Sequence, residues 1–255
     1  MLYQRLPFRT PLRHLAADVS SALRASKVVH VSGFPSTPDS LDCYEQVGSR
    51  LGEPVPLGES ADGRKTGEPW VDIRYDPSLS DSFRHSPTAQ PLHTDGAYET
   101  DPPEVVLLVC RKARQTGGGT TFLDGHDLVH YLQVYEPDLL RQLESVPFTF
   151  VKGGESRTVP VVRYDDYGPL LAWNYFRVDR SCDLAERFQK FLQDSVVAGG
   201  LTCTVHMGEG DALYFRDDRV LHGRQAFLAR RPGDRWLCKA GFKAAAASGP
   251  LPLKT

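Results

Sequence analysis

Apolar positions along the chain follow two rhythms. From Leu12 onward they recur at three- and four-residue steps, as Leu12, Leu15, Ala16, Val19 and Leu23, which on a 3.6-residue helix make one continuous stripe. Thr10-Pro11 stands just ahead, a capping residue followed by a proline whose fixed φ suits the first helical position. A β-branched run, Val28-Val29-His30-Val31, comes next and is closed by Gly33 and Pro35, after which the helical rhythm returns through Leu41, Tyr44, Val47 and Leu51. The pattern predicts a strand between two helices. A further helix over 183–198 gathers Leu184, Phe188, Phe191, Leu192 and Val196 and stops at Gly199-Gly200.

Most of the remaining chain reads as short strands divided by turn residues, at 70–75, 104–112, 120–123, 147–152, 158–163, 169–176, 202–206, 212–216 and 235–242. That spacing favours a sandwich or barrel over a parallel βαβ sheet. Because the helices cluster instead of alternating with strands, the expected fold is mainly β (α+β), an antiparallel core with helices packed outside. No repeat, charge block or linker divides the chain, so a single domain over 1–255 is expected. The tail from about 244 offers no periodic face to bury and is expected to be ragged.

Composition narrows the function classes. With 30 basic against 32 acidic side chains, a net charge of -2 and a pI near 6.4, neither a nucleic-acid surface nor a polybasic membrane anchor is expected. Arg5, Arg9 and Arg13 interrupt any apolar stretch that a secretory signal would need, and the longest apolar run, Val105 to Cys110, is far too short to cross a bilayer. The five cysteines, Cys43, Cys110, Cys182, Cys203 and Cys238, are odd in number and contain no C-x-x-C pair. They read as reduced thiols of a cytoplasmic protein.

Candidate chemistry gathers at Pro91-Leu92-His93-Thr94-Asp95-Gly96. On a strand, residues two apart project to one face, so His93 and Asp95 can converge on one ion. His222, at the end of a strand-like segment, is the candidate third ligand. Two histidines and a carboxylate with open positions match the facial triad of non-haem Fe(II) oxygenases, although hydrolytic zinc sites use similar sets and an H-x-D pair can be a simple surface pair. The glycines at 117–119 lack the lysine and helix of a phosphate loop. His14 and His30 are placed in outer N-terminal elements and His126 and His130 on a surface helix; His85 and His206 stay open. Arg224 could make a second carboxylate contact or a structural ion pair with Asp217 or Asp218, and the structural role is preferred.

The stretches HTDGAYETDPPEVVLLVCRKARQTGGGTTFLDG, GDALYFRDDRVLHGRQAF and RPGDRWLCKAGF together resemble the Fe(II)/2-oxoglutarate dioxygenases of the taurine dioxygenase, clavaminate synthase and γ-butyrobetaine hydroxylase superfamily, over about Pro91 to Phe242. The resemblance implies a double-stranded β-helix (jelly-roll) core. It places His93, Asp95 and His222 at the iron-ligand positions, Thr120 where a threonine hydrogen-bonds 2-oxoglutarate, and Arg235 where an arginine clamps the distal carboxylate of that cosubstrate. A permanently charged planar fork suits that last task. It further implies consumption of O2 and 2-oxoglutarate, release of succinate and CO2, and hydroxylation of an unactivated C–H bond. Halogenating relatives replace the carboxylate ligand with a small residue, so Asp95 disfavours halogenation, while desaturation, cyclisation or epoxidation use the same ligands.

Lys239 lies four residues beyond Arg235 and falls where taurine dioxygenase has an arginine contacting the substrate's anionic group. It reads equally as a carboxylate contact or an exposed edge residue. Tyr98, Trp173, Asn174, Tyr175 and Arg177 are further pocket candidates, and the expected substrate is a small polar or amino-acid-like molecule. A zinc-dependent hydrolase would give Thr120 and Arg235 no shared task, and a non-catalytic jelly-roll binding protein would need neither. The near balance of charge then predicts positive charge concentrated inside, with Arg235 and Lys239 meeting small anions in the mouth of the barrel.

Overall fold

The structure is a computed structural model and describes residues 1–34, 41–58, 66–79, 82–179 and 183–244. Pro35, Cys182 and the tail after Ala244 lie outside the described residues. The N-terminal region runs β1 (Tyr3–Pro7), α1 (Leu12–Ala25), β2 (Val28–Ser32), α2 (Asp42–Gly48), β3 (Gly52–Val55) and β4 (Trp70–Arg74). The middle carries β5 (Gln90–His93), β6 (Val105–Ala113), β7 (Thr116–Gly117), β8 (Thr120–Asp124), α3 (Gly125–Tyr135), α4 (Pro137–Ser145), β9 (Phe148–Lys152), β10 (Glu155–Val159), β11 (Val162–Asp165) and β12 (Gly168–Leu171). The C-terminal region follows with α5 (Asp183–Phe191), β13 (Cys203–Val205), β14 (Ala212–Arg216), β15 (Val220–Arg224), β16 (Phe227–Leu228) and β17 (Arg235–Ala244).

A seven-stranded sheet has the order β1-β2-β14-β6-β17-β3, with β4 also paired to β17, and a four-stranded sheet has the order β13-β8-β15-β5. The apolar run of β6 is explained by burial on both faces. Val105, Leu107 and Val109 pack under α1 and α2 with Leu15, Val19 and Val47. Val106 and Leu108 turn the other way, against Phe122, Val205 and Val220 of the smaller sheet. The same alternation divides β14, whose Tyr214 faces the helices and whose Phe215 faces the smaller sheet. A third cluster, centred on fully buried Trp173 and Phe188, joins α3, α4 and α5 to β9, β11 and β12. The fold is therefore β-rich with flanking helices, as the apolar rhythm predicts.

Several boundaries differ. Helix α1 begins at Leu12 with Pro11 at its N-cap and no side-chain cap, so Thr10 does not cap it. The expected strand at 158–163 is two, because Pro160 lacks an amide donor and parts β10 from β11. The strand expected over 169–176 stops at Leu171: Asn174 Oδ1 accepts from the Phe176 amide and folds the chain into a turn. Helix α5 continues as a π-helix over Leu192–Val197. β1 pairs parallel to β2, an exception to the antiparallel expectation. Among the described residues no helix is long and apolar enough to cross a membrane, and Cys43, Cys110, Cys203 and Cys238 form no disulfide.

Candidate metal and cosubstrate site

β5 and β15 are neighbours with His93 directly opposite His222, which sets the two imidazole centroids 4.2 Å apart. Glycine is required beside His222, since a Cβ on Gly223 would lie 2.7 Å from the Gln90 carbonyl oxygen. Asp95 does not reach the site by strand alternation. β5 ends at His93, and Asp95 is carried on the turn that follows, closed by Gly96 in the left-handed region at φ +63°. The Thr94 amide donates to the Trp173 carbonyl at 2.7 Å and the Trp173 amide donates to Thr94 Oγ1 at 3.1 Å. That clip ties the turn to the third core cluster.

Asp95 Oδ1 lies 3.9 Å from His93 Nε2, and Oδ2 lies 3.9 Å from His222 Nε2. One donor atom from each of the three residues fits within a 4.8 Å span, so the three could hold one ion. The donor set, two imidazole nitrogens and one carboxylate oxygen, suits Fe(II) and leaves positions free. Burial pushes the His93 imidazole down to about 3, aided by His222, and pushes His222 down to about 4. Both rings are therefore neutral at neutral pH, as metal ligation requires. His93 Nδ1 donates to the Pro91 carbonyl at 2.9 Å, which leaves Nε2 unprotonated, and that nitrogen accepts from Gln90 Nε2 at 3.1 Å. Burial opposes the charge on Asp95, but Lys239, His222 and His93 hold its carboxyl well below the ordinary range.

Asp217 supports the triad from behind. Its Oδ2 accepts from the Asp95 amide at 2.7 Å, and its Oδ1 is 2.9 Å from His222 Nδ1, off the line of a well-formed hydrogen bond. Burial and the charge of Asp95 push the Asp217 carboxyl well above its usual value.

The same cavity, of about 470 Å³, is also lined by Thr120, Arg224 and Arg235. Thr120 is opposite Arg224 across β8 and β15. Arg224 was expected to pair with Asp217 or Asp218; instead it donates to the carbonyls of Phe83, Ser86 and Thr88, while Asp218 is taken by Arg216. Both Arg224 and Arg235 lie against the ring of Phe227, at 5.1 and 5.2 Å. Among the described residues no carboxylate is within ion-pair distance of either guanidinium. Burial lowers Arg235 to about 10 and, joined by the charge of Arg235, lowers Arg224 to about 9, so both remain cations at neutral pH.

β17 runs without interruption beside β6, the extra residue of their bulge being Arg111. Arg235, Leu237 and Lys239 consequently share the cavity face. Lys239 is no exposed edge residue: it is 15% exposed and its Nζ is 2.8 Å from Asp95 Oδ2. Tyr98, Asn174, Tyr175 and Arg177 line the cavity as well, whereas Trp173 is buried in the core and does not. Lys152 and Glu99 also reach it, Lys152 donating to Tyr98 Oη at 3.3 Å and lying over its ring. Nothing in the pattern around Lys152 marks it in advance, but Glu99 falls inside the His93 motif. His30, placed by sequence in an outer element, is buried; its ring lies 2.9 Å from Asp211 Oδ2 and 2.9 Å from Tyr3 Oη. His85 Nδ1 donates to the Arg74 carbonyl at 2.8 Å.

Two sheets with flanking helices, a His-Asp-His cluster between them and an unopposed guanidinium beyond it are features of an Fe(II)- and 2-oxoglutarate-dependent dioxygenase, and the comparisons define the chain as one. It belongs to the taurine catabolism dioxygenase TauD, TfdA family, whose sequence pattern matches residues 4–240. A uridine-5'-phosphate dioxygenase of Amycolatopsis sp is 26% identical over 227 residues, 80% of this chain and 79% of that protein. The human gamma-butyrobetaine dioxygenase is 28% identical over 155 residues, 54% of this chain and 40% of that protein. In fold, the chain is similar to asparagine oxygenase in complex with Fe(II), 2S,3S-3-hydroxyasparagine and succinate, with a TM-score of 0.74, 18% identity and coverage of 93% of this chain and 80% of that one. It is also similar to the non-heme iron oxygenase OrfP in complex with Fe and alpha-ketoglutaric acid, with a TM-score of 0.66, 19% identity and coverage of 92% and 83%.

Proposed function

We propose that His93, Asp95 and His222 hold the Fe(II), that Thr120 and Arg235 receive 2-oxoglutarate, and that the enzyme hydroxylates an unactivated C–H bond of a small polar, amino-acid-like substrate. The observation that carries this reading is the pair of buried guanidiniums with no carboxylate partner, in one cavity with the His-Asp-His cluster. Burying a cation without a counter-ion is costly. A dicarboxylate reaching from the cluster to Arg235 would supply the counter-charge that the guanidiniums lack.

When bound, Fe(II) and 2-oxoglutarate with O2 supply the oxidation, one oxygen atom going to the substrate and one to succinate, with CO2 released. The chain's own residues position these groups. His93 and His222 present neutral nitrogens, and Asp95 presents an ionised carboxylate. Arg235 offers two parallel donors to the distal carboxylate, Thr120 adds a hydroxyl donor, and Phe227 keeps water from both guanidiniums. Tyr98, Asn174, Tyr175 and Lys239 face the remaining space and form the proposed substrate wall. Support for an amino-acid-like substrate comes from the fold neighbours that act on asparagine and bind hydroxy-L-Arg. The facing sheets are read as a double-stranded β-helix, the chain as one domain, and its location as the cytoplasm.

The test is succinate formation from Fe(II), ascorbate and 2-oxoglutarate, screened over amino acids and related acids, with mass spectrometry of the stimulating compound. A gain of one oxygen atom is expected. Asp95→Ala should abolish turnover, and Arg235→Ala should raise the KM for 2-oxoglutarate roughly a hundredfold, the loss of two charge-assisted hydrogen bonds of about 1.5 kcal/mol each. Succinate production indifferent to Asp95 would sink the iron assignment, and zinc-supported hydrolysis without oxygen uptake would replace it with a hydrolase.

A further inference from the structure

Lys239 and the triad's carboxylate make the closest charged contact in the cavity's metal-binding half. The ammonium is 2.8 Å from Asp95 Oδ2, the same oxygen that lies 3.9 Å from His222 Nε2. Oδ2 therefore faces both the ammonium and His222, and an ion held through that oxygen would compete with Lys239 for it. Lys239 Nζ is the cation in hydrogen-bond contact with the Asp95 carboxylate. β17 holds the lysine backbone between β6 and β4, while its four-carbon stem leaves the ammonium free to swing.

We infer that Lys239 is an internal counter-ion that holds Asp95 in the metal-free protein and is displaced from it as the metal enters. The inference rests on the reading that His93, Asp95 and His222 bind the metal. A dication and an ammonium cannot share one oxygen of a dry site without strong repulsion. Metal binding opens the ion pair, and the released ammonium turns into the cavity that Tyr98, Asn174 and Tyr175 also line. The lysine is a positioning residue for the Asp95 carboxylate.

The energetic consequence differs between the two states. Removing the ammonium takes a counter-ion from the metal-free protein and takes nothing from the metal-bound one. Lys239→Met should therefore bind Mn(II) more tightly, by roughly tenfold, within the range usual for two coupled equilibria. Its metal-free form should melt lower than wild type while its Mn(II)-saturated form should not. Lys239→Arg, which keeps the charge, should stay close to wild type in Mn(II) affinity. The measurement is calorimetric titration of the purified, chelator-treated protein with Mn(II) alone, paired with thermal melts with and without the ion.

Unchanged or weaker Mn(II) binding in Lys239→Met, or equal loss of melting temperature with and without metal, overturns the inference and marks the lysine as structural. If Lys239→Met does not fold, Lys239→Gln, which keeps a polar head and drops the charge, carries the same expectation. Asp95→Ala separates the two levels of the argument. Should wild-type Mn(II) binding survive that change, the metal reading fails and the inference with it; should it be lost while Lys239→Met behaves as wild type, only the inference fails.

Discussion

Asp217 touches two of the three proposed ligands at once, the backbone of Asp95 and the ring of His222. Metal-binding histidines are commonly oriented through their second nitrogen, and loss of such a support costs about 10- to 100-fold in metal affinity. Asp217→Ala is expected to weaken Mn(II) binding within that range. Asp217→Asn keeps an oxygen to accept from the Asp95 amide and should restore most of it. Calorimetric titration of the two variants decides, and an asparagine variant as poor as the alanine one would show that the charge, not the acceptor, matters. The sequence offers this residue only as an ion-pair partner for Arg224, for a physical reason. In the run Arg216-Asp217-Asp218-Arg219 only the fold separates the members: Arg216 pairs with Asp218, Arg219 turns to Asp165, and Asp217 is left facing the triad. The gathering of His93, Asp95 and His222 at one place was legible because their types and order carry a motif. The contact of Lys239 with Asp95 was not, since no local pattern specifies which of several buried groups a flexible side chain will meet.

Elements place the triad through register and one clip. His93 and His222 meet because β5 and β15 pair residue against residue, but Asp95 depends on how the turn after β5 is fastened. That fastening is Thr94, whose hydroxyl accepts from the buried Trp173 amide. Thr94→Val keeps the volume and strands that amide, which should cost about 1–3 kcal/mol and lower the melting temperature by roughly 2–4 °C per kcal/mol for a chain of this size. Because Asp95 is the next residue, Mn(II) affinity should fall along with stability. Thr94→Ser should recover both, and loss of stability with unaltered metal affinity would show that the turn holds its shape without the clip. The elements legible in advance were the ones with a strong period or a long apolar run, such as α1, α5, β6 and β14. The edge strands β1, β3 and β5 are only four or five residues long, too short for alternation to declare itself. The halving of 158–163 and the early end of β12 follow from Pro160 and Asn174, single residues whose local bonding overrode an apolar pattern.

For the whole molecule, a net charge of -2 conceals an interior in which neutral imidazoles and uncompensated guanidiniums share one cavity, and that arrangement makes stability depend on pH. His93 and His222 titrate near 6.5 in the unfolded chain and at about 3 and 4 in the folded, metal-free protein. Their contribution is complete above pH 6.5 and is lost as pH falls from 6.5 toward 4, because only the unfolded chain takes up the protons there. Each ring contributes up to about 1.4 kcal/mol per pH unit within that window. Asp217 acts in the opposite sense, since its raised folded value means that the native state gains a proton first as pH falls. Asp95, held low, stays ionised across the window and loses its contribution only below the ordinary aspartate range. Two imidazoles against one carboxyl leave a net loss of stability on acidification. Denaturant melts of chelator-treated protein between pH 7 and pH 4.5 should show stability falling with pH, and His93→Gln and His222→Gln should each flatten the slope by close to one proton. A slope the histidine variants do not change would mean that these rings meet solvent in the folded state, and would undo the buried, neutral donor pair on which the proposed metal site depends.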